Sequence, residues 1–249
     1  MPRAHRSLPR VHVEADLAAG ATVMLDAEAT NHLVNVLRLK EGDAAILFNG
    51  RHGAWLARIA KAGRKGATLD VAGQASPQTP PSDLWFGFAP LKIGRLDYVV
   101  QKATEMGAGT IQPVLTEFTQ TRRLRADKLE AYVLEAAQQC EVLSVPRVAA
   151  EIELRPLVAG WRQAQGLRRL LFADEAAPSA SPVDSIGRLQ GLPVGLLVGP
   201  EGGFSDAERE LLLAQDFVVP ISLGPRILRA DTAAVAALAL VQAIIGDWR

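Results

Sequence analysis

The sequence is poor in the residues that build disulfides and metal centres. It contains one cysteine, Cys140, so no internal disulfide can form, and its four histidines form no ligand cluster with that cysteine. The first fifteen residues carry arginines but lack the apolar stretch that a secretory signal needs. We therefore expect no bound metal and a location in the reducing cytoplasm.

Long apolar runs and an excess of one charge are also missing. The most apolar stretch, Ala233–Ile245, is shorter than the ~20 residues that span a bilayer, and it contains Gln242. Lys and Arg together number 27, as do Asp and Glu, and 49% of the residues are hydrophobic. This composition is typical of a globular protein, and 249 residues suffice for one large domain or two modest ones.

Two common nucleotide-binding motifs are absent. No G-x-G-x-x-G opens a strand–helix–strand unit, and no G-x-x-x-x-G-K-[ST] sequence occurs. Their absence disfavours a Rossmann-type dinucleotide site and a P-loop. Aromatic residues make up only 5% of the chain, so the sequence gives no sign of the stacking platforms that bind single-stranded nucleic acid.

The patterns that are present divide the chain into two domains. Residues 1–73 contain short alternating runs separated by turn signals, which predict a small β-barrel with one helical piece around Leu33. Residues 74–83 contain three prolines and are typical of a linker. Residues 84–249 alternate strands with helices, which predicts an α/β domain with a mostly parallel sheet.

Two glycine turns stand out in the second domain, and each follows a predicted strand. The first is GPEGGFS, from Gly199, and the second is GPRILRADTA, from Gly224. Ligands of open α/β sheets bind beyond the carboxyl ends of the strands, and glycine lets the backbone approach a ligand closely. Either turn alone is adequately explained as an ordinary connection from strand to helix, but the two together favour one ligand pocket.

At these turns the sequence resembles the bacterial 16S ribosomal RNA (uracil-N3) methyltransferases of the knotted SPOUT class, which use S-adenosylmethionine. GPEGGFSDAE and SLGPRILRADTAA look like that family's two signatures. Leu91–Val114 is similar to its lysine-led helix and following strand, and His32–Asp43 to its PUA-like barrel. The resemblance covers nearly the whole chain.

The resemblance implies a SPOUT-type trefoil-knotted α/β methyltransferase domain preceded by a small PUA-like β-barrel domain. It also implies a homodimer, with the cofactor beside the subunit interface and N3 of a uridine in the 16S rRNA of the 30S subunit as the target. The final apolar helix suits such an interface and is equally explained as a core helix. The implied cofactor-binding residues are Leu197, Val198, Gly199, Pro200, Glu201, Gly202, Leu223, Gly224, Ile227 and Leu228.

Three side chains beside the turns are candidates for the chemistry: Arg229, Glu201 and Asp231. Methyl transfer from a sulfonium needs positioning and removal of the uracil imide proton. We expect Arg229 to orient the base and to stabilise the developing negative charge. Glu201 would bond the cofactor or shape its loop. Asp231 would be either a base or a helix N-cap, of which we favour the N-cap.

Contact with RNA requires cations, although each of these taken alone is more simply a solvated surface charge. The candidates are Arg3, Arg6, Arg10, Arg38, Lys92, Arg95, Arg122 and Arg123.

The chain departs from the family pattern at several positions. It has Asp231 and Met106 where the family has Glu and Leu, and it has Phe118, Gln138 and Val142 in the half expected to face RNA. The family often has arginine, an acidic residue and arginine at those three positions. Two other functions therefore stay open: methylation of a different RNA by an enzyme of the same class, and a non-catalytic role in RNA binding or ribosome assembly. A nucleotide-binding oxidoreductase is a more distant alternative.

Overall fold

The computed structural model of the chain describes residues 7–63, 66–92, 94–121, 124–178 and 181–248. It divides into two compact units. The first contains the chain up to Pro80 together with Ala137–Val145, and the second contains Pro81–Ala136 and the chain from Pro146 onward. The first unit therefore includes a short segment, Ala137–Val145, that comes much later in the sequence.

The first unit is built on a five-stranded sheet. Its strands are β1 (Arg10–His12), β2 (Thr22–Met24), β3 (Ala44–Phe48), β4 (Ala54–Gly63) and β5 (Gly66–Ser76). Their order is β1-β3-β4-β5-β2, with β1 parallel to β3 and the other pairs antiparallel. One face of the sheet packs on a core that includes Val11, Val23, Leu47, Ile59 and Leu69. Strand β3 is buried on both faces, because four of its five residues are buried in succession.

The helical piece of this unit differs from a plain α-helix. α1 (Ala27–Thr30) begins at Asp26, whose side chain accepts the N–H of Ala29, and it continues as a π-helical segment over Asn31–Val36. Only Leu33 of that segment is buried. Leu37 is the C-cap of the segment, and the next residue, Arg38, has a positive φ of 58°.

The segment Ala137–Val145 completes a second apolar cluster in the first unit. Ala137 and Leu143 pack there with Ile46, Phe48 and Ala54. Strand β5 also runs to Ser76, so the structure is regular beyond Gly73, where the proline-rich linker was expected to begin.

The second unit is a parallel sheet with helices on it. Its strands are β6 (Trp85–Phe88), β7 (Thr110–Leu115), β8 (Arg147–Val148), β9 (Ile152–Glu153), β10 (Arg169–Ala173), β11 (Val194–Val198) and β12 (Val218–Ile221). The order is β12-β10-β11-β6-β7-β8, with β9 also pairing β7, and every pair is parallel. This confirms the predicted α/β class with a parallel sheet.

The helices of the second unit connect these strands. They are α2 (Leu96–Glu105), α3 (Ala126–Cys140), whose last turn belongs to the first unit, α4 (Leu154–Gln165), α5 (Pro182–Gly187), α6 (Asp206–Leu213) and α7 (Ala230–Ile244). The predicted capping box at the start of α6 is confirmed, because the Ser205 and Glu208 side chains each accept a backbone N–H of the other residue. Helix α7 packs on α2, α5 and β11.

Helix α4 has no counterpart in the sequence-based prediction. Pro156 and Gly160 weaken its helical pattern, but the proline lies in the first turn, where its missing N–H costs no helical hydrogen bond. The helix is stabilised by burial of Trp161, whose ring lies edge-on to Trp85 and stacks on Phe217 with centroids 5.0 and 5.7 Å away.

Candidate functional site

A cavity of about 510 Å³ lies at the carboxyl ends of the neighbouring strands β10, β11 and β12. Both glycine turns line it, since they follow β11 and β12 directly. The strand between them, β10, contributes the stretch Ala173–Ala176. The two turns that the sequence singled out therefore do meet around one cavity, as the sequence predicted.

The first turn packs tightly. A Cβ placed on Gly199 would lie 2.6 Å from the ring of Phe204, closer than any side chain tolerates. Phe204 in turn lies edge-on to the buried Phe172, with ring centroids 4.9 Å apart. Glycine at 199 is thus required by packing as well as by access to the cavity.

The carboxylate of Glu201 ties the first turn to the chain after β6. Its Oε1 accepts the backbone N–H of Lys92 at 3.3 Å, while the residue itself lines the cavity. Glu201 therefore has a structural role in holding its loop, and its exposed carboxylate still faces the cavity region.

The second turn is held in a conformation that suits glycine. Gly224 has a φ of +105° and donates its N–H to the Ser222 hydroxyl at 3.3 Å. A Cβ at this position would meet no atom within 4 Å, so the constraint is on the backbone rather than on space. Leu223 and Ile227 of this turn line the cavity, and Ile227 is 86% exposed.

Arg229 ends the second turn and is the N-cap residue of α7. It lines the cavity and is exposed. Over the residues that the structure describes, no hydrogen bond or ion pair engages its guanidinium. The group is therefore free to meet a ligand.

Asp231 lies elsewhere than expected. It belongs to the first turn of α7 and is not the N-cap, so that prediction is wrong. Its Oδ2 accepts a hydrogen bond from Arg95 Nη1 at 2.9 Å, and its Oδ1 accepts the N–H of Thr232 at 2.8 Å. Since both oxygens are engaged, Asp231 is poorly placed to act as a base.

Strand β10 contributes residues to the cavity that were not predicted from the sequence. Asp174, at the end of that strand, is buried, and both its oxygens accept Nε–H of Arg209 at 3.0–3.1 Å. Asp174 and Arg209 line the cavity together with Glu175. Acidic residues directly after a buried strand, in the run LLFADE, were the available signal.

Most of the ten predicted cofactor-binding residues line the cavity, and two do not. Leu197 is fully buried within β11, and Gly202 lies beside Phe118, with 3.2 Å between the Phe118 Cβ and a Cβ built on the glycine. The eight that line it are Val198, Gly199, Pro200, Glu201, Leu223, Gly224, Ile227 and Leu228.

The predicted RNA-binding cations separate into three groups. Arg3, Arg6, Arg122 and Arg123 lie outside the described residues. Lys92 and Arg38 are exposed, as such a role requires.

Arg10 and Arg95 are instead held in ion pairs. The Arg10 side chain is 5% exposed and pairs with Glu141 at 3.0 Å, so burial contradicts its assignment to an RNA surface. Arg95 is half-buried against Asp231.

Two of the departures from the family pattern have structural roles in the first unit. The side-chain Oε1 of Gln138 accepts the N–H of His12 at 3.0 Å, and Val142 packs against the cluster around Phe48. Both residues therefore contribute to the packing of this unit. Phe118, in contrast, is exposed.

The part of the chain that the structure describes offers neither a metal site nor a membrane-spanning helix. No group of three or more His, Cys, Asp or Glu side chains is placed to hold a metal ion there. Among the same residues, no helix has the length and apolar character to cross a bilayer.

The fold agrees with what comparison with known proteins shows. Residues 78–242 match the RNA methyltransferase domain family, and residues 25–72 match the RNA methyltransferase PUA domain. The chain belongs to this family of RNA methyltransferases that carry a PUA domain. The resemblance drawn from the glycine turns is thereby confirmed.

The names of the relatives are more specific than those of the two domain families. The chain is 32% identical over 235 residues to Ribosomal RNA small subunit methyltransferase E of Rickettsia conorii, covering 94% of each protein. It is 31% identical over 239 residues to the protein of the same name from Synechocystis, covering 95% of this chain and 78% of that one.

Two solved structures are similar over nearly the whole chain. One is Ribosomal RNA small subunit methyltransferase E from Neisseria gonorrhoeae bound to S-adenosyl methionine, with a TM-score of 0.85, 26% identity, and coverage of 97% of this chain and 100% of that one. The other is a methyltransferase from Legionella pneumophila with bound SAM, with a TM-score of 0.80, 30% identity, and coverage of 95% and 97%.

Proposed function

We propose that this protein is an S-adenosylmethionine-dependent methyltransferase that methylates N3 of a uridine in the 16S rRNA of the small ribosomal subunit. The observation that carries the proposal is the single cavity lined by both glycine turns at the carboxyl edge of a parallel sheet. Relatives named as small-subunit rRNA methyltransferases, at 31–32% identity, support the choice of substrate.

The cavity fits the methyl donor in size and chemistry. Its volume of about 510 Å³ lies within the range of roughly 300–1,000 Å³ that holds small ligands. Ile221, Leu223 and Ile227 offer apolar surface to a purine ring, and the backbone of both turns offers N–H and C=O groups to its edge. The carboxylates of Glu175 and Glu201 suit the hydroxyl and ammonium groups of the ligand.

The chemistry assigned to the protein's own residues is orientation and charge stabilisation. The bound donor supplies a methyl group that its sulfonium already activates. Arg229 orients the uracil and stabilises the negative charge that develops when N3 loses its proton. The imide proton is weakly acidic, so a cation that stabilises the anion lets solvent accept the proton without a dedicated base.

Asp231 and Arg95 position this cation rather than react. Their ion pair of 2.9 Å fixes the first turn of α7, two residues beyond Arg229. Glu201 likewise holds the first glycine turn through the N–H of Lys92. Arg229 is thus the candidate catalytic residue, and the other two carboxylate contacts are supports.

Further parts of the proposal come from the family resemblance. The two glycine turns form a trefoil knot, and two copies of the chain form a homodimer with the cofactor near their interface. The enzyme acts in the cytoplasm, where assembled 30S subunits are present. The two domains are residues 1–73 and 84–249, joined by residues 74–83, with the small domain contacting RNA.

Mapping of rRNA modifications tests the proposal directly. In a strain lacking the gene, mass spectrometry of 16S rRNA should show the loss of one N3-methyluridine, restored by the wild-type gene and not by an Arg229→Ala variant. Loss of a methyl group from a different RNA would support the alternative target. Unchanged RNA together with no calorimetric binding of S-adenosylmethionine would favour a non-catalytic RNA-binding protein.

A further inference from the structure

Three loops meet at the carboxyl ends of the adjacent strands β11, β6 and β7, next to the cavity. They are residues 89–92 after β6, residues 116–121 after β7 and the glycine turn 199–203 after β11. Thr121 Oγ1 donates to the carbonyl of Leu91 at 3.1 Å, and the N–H of Lys92 donates to Glu201 at 3.3 Å. The glycine turn therefore borders the cavity and also belongs to this second cluster.

Phe118 stands in this cluster with its side chain 44% exposed. The chain has seven phenylalanines, and five of the others are at most 3% exposed. A phenylalanine exposed to this extent forgoes a large part of the free energy that full burial of its ring would contribute to folding. Its exposure on this loop therefore needs a reason other than core packing.

The backbone that carries Phe118 is held firmly. Thr116 and Thr119 are 2% and 4% exposed, the N–H of Thr116 donates to Thr119 Oγ1 at 2.9 Å, and the N–H of Thr119 donates to the carbonyl of Thr116 at 3.1 Å. The N–H of Glu117 donates to the buried carboxylate of Glu208 at 2.8 Å. Phe118 is thus presented by a fixed turn, so that little conformational entropy is lost when it binds a partner.

The charges around Phe118 indicate which part of a nucleic acid it meets. Glu117 and Glu201 are exposed carboxylates close to it, and they disfavour a phosphate at that position. The backbone of Lys92 is hydrogen-bonded to Glu201, so this exposed lysine is anchored beside the same cluster. A neutral base over the ring would avoid repulsion by the two carboxylates, and its phosphate would lie near the positive charge of Lys92.

We propose that Phe118 is a stacking platform for a nucleobase of the substrate RNA, beside the target uridine, with Lys92 contacting the neighbouring phosphate. The proposal rests on the proposed function and extends it to the RNA side of the site. Base–aromatic stacking accepts any base, so Phe118 would add affinity for the substrate and leave the cofactor's affinity unchanged.

Steady-state methyl transfer to 30S subunits tests this role. Phe118→Leu keeps an apolar side chain over Gly202 and removes the ring, so KM for 30S subunits should rise roughly ten-fold with kcat nearly unchanged. Phe118→Tyr and Phe118→Trp should restore the wild-type KM. Tyr98→Leu is the matched control, because Tyr98 is an equally exposed aromatic (43%) on α2 and should have no effect.

A binding experiment makes the test independent of catalysis. Irradiation of the protein with 16S rRNA that contains 5-iodouridine should give a cross-linked peptide in which Phe118 carries the adduct, and Phe118→Leu should abolish it. If the wild type cross-links at Phe118 but transfers no methyl group, the platform stands and the proposed function fails.

Three results would overturn the proposal that Phe118 stacks on a base. Phe118→Leu could behave as wild type in both assays. It could weaken S-adenosylmethionine binding in calorimetry, which would show that Phe118 serves only to pack the glycine turn. It could change the oligomeric state in sedimentation, which would place Phe118 in a subunit interface.

Discussion

The guanidinium of Arg95 and the carboxylate of Asp231 form an ion pair that joins the N-cap residue of α2 to the first turn of α7, with 2.9 Å between Nη1 and Oδ2. The side chains are 30% and 19% exposed, so the pair is partly shielded from water. It links two residues that the sequence assigned to RNA binding and to catalysis. In the proposed mechanism this position suits both of them as supports for Arg229.

A double-mutant cycle measures this coupling. Arg95→Gln and Asp231→Asn should each destabilise the protein, and their effects should be non-additive by about 1 kcal/mol in the free energy of unfolding. Each should also lower kcat by displacing Arg229. The charge-swapped double variant, Arg95→Asp with Asp231→Arg, should regain part of both losses; additive effects would show that the pair contributes nothing.

Replacement of Arg229 should affect catalysis far more than folding. The side chain is exposed, so Arg229→Ala should leave the melting temperature nearly unchanged while lowering kcat about a hundred-fold, the usual scale for one group that stabilises developing charge. Arg155→Ala removes an exposed arginine from α4 and serves as the control. Wild-type methyl transfer by Arg229→Ala would remove this residue from the mechanism.

Gly199→Ala should damage the cavity wall. The added Cβ would stand 2.6 Å from the Phe204 ring, so the ring or the turn must move, at a cost of about 1–3 kcal/mol in stability. We expect the dissociation constant of S-adenosylmethionine, measured by calorimetry, to rise by about ten-fold. Gly160→Ala is the control, because a Cβ there meets nothing within 4 Å in helix α4.

His12 should make stability depend on pH. Burial lowers its pKa below the ordinary value of 6.5; Arg51 adds to this, while Glu14 and Asp26 oppose it. Below pH 6.5 the unfolded chain therefore binds more protons than the folded one, and stability should fall as the pH drops. Denaturant titrations between pH 7.5 and about 5 should show this slope, and His12→Gln should flatten it; an unchanged slope would exclude His12 as its source.

The sequence predicted the parallel sheet and the glycine turns well because both have strong local signals. The apolar runs before Gly199 and Gly224 are short and bounded by turn residues, and they became β11 and β12. The capping box at Ser205 was readable for the same reason, since its two residues are three positions apart.

The parts that escaped prediction depend on contacts distant in sequence. The sequence around Asp231 does not indicate that its carboxylate will pair with Arg95, which lies 136 residues earlier. Arg10 shows the same limit, because its partner Glu141 comes from the segment that joins the first unit late in the chain. Helix α4 was missed because tertiary burial of Trp161 outweighs the weak local propensity around Pro156.

The nine-residue segment Ala137–Val145 limits how this protein can be divided. A fragment that stops at Pro80 would lack Ala137 and Leu143 and would leave the apolar side chains of Ile46 and Phe48 uncovered. A fragment that starts at Pro81 would carry the same segment without the strands it packs on. Neither fragment keeps this segment together with the strands it packs on, so recombination in evolution, like protein engineering, would have to transfer the two together.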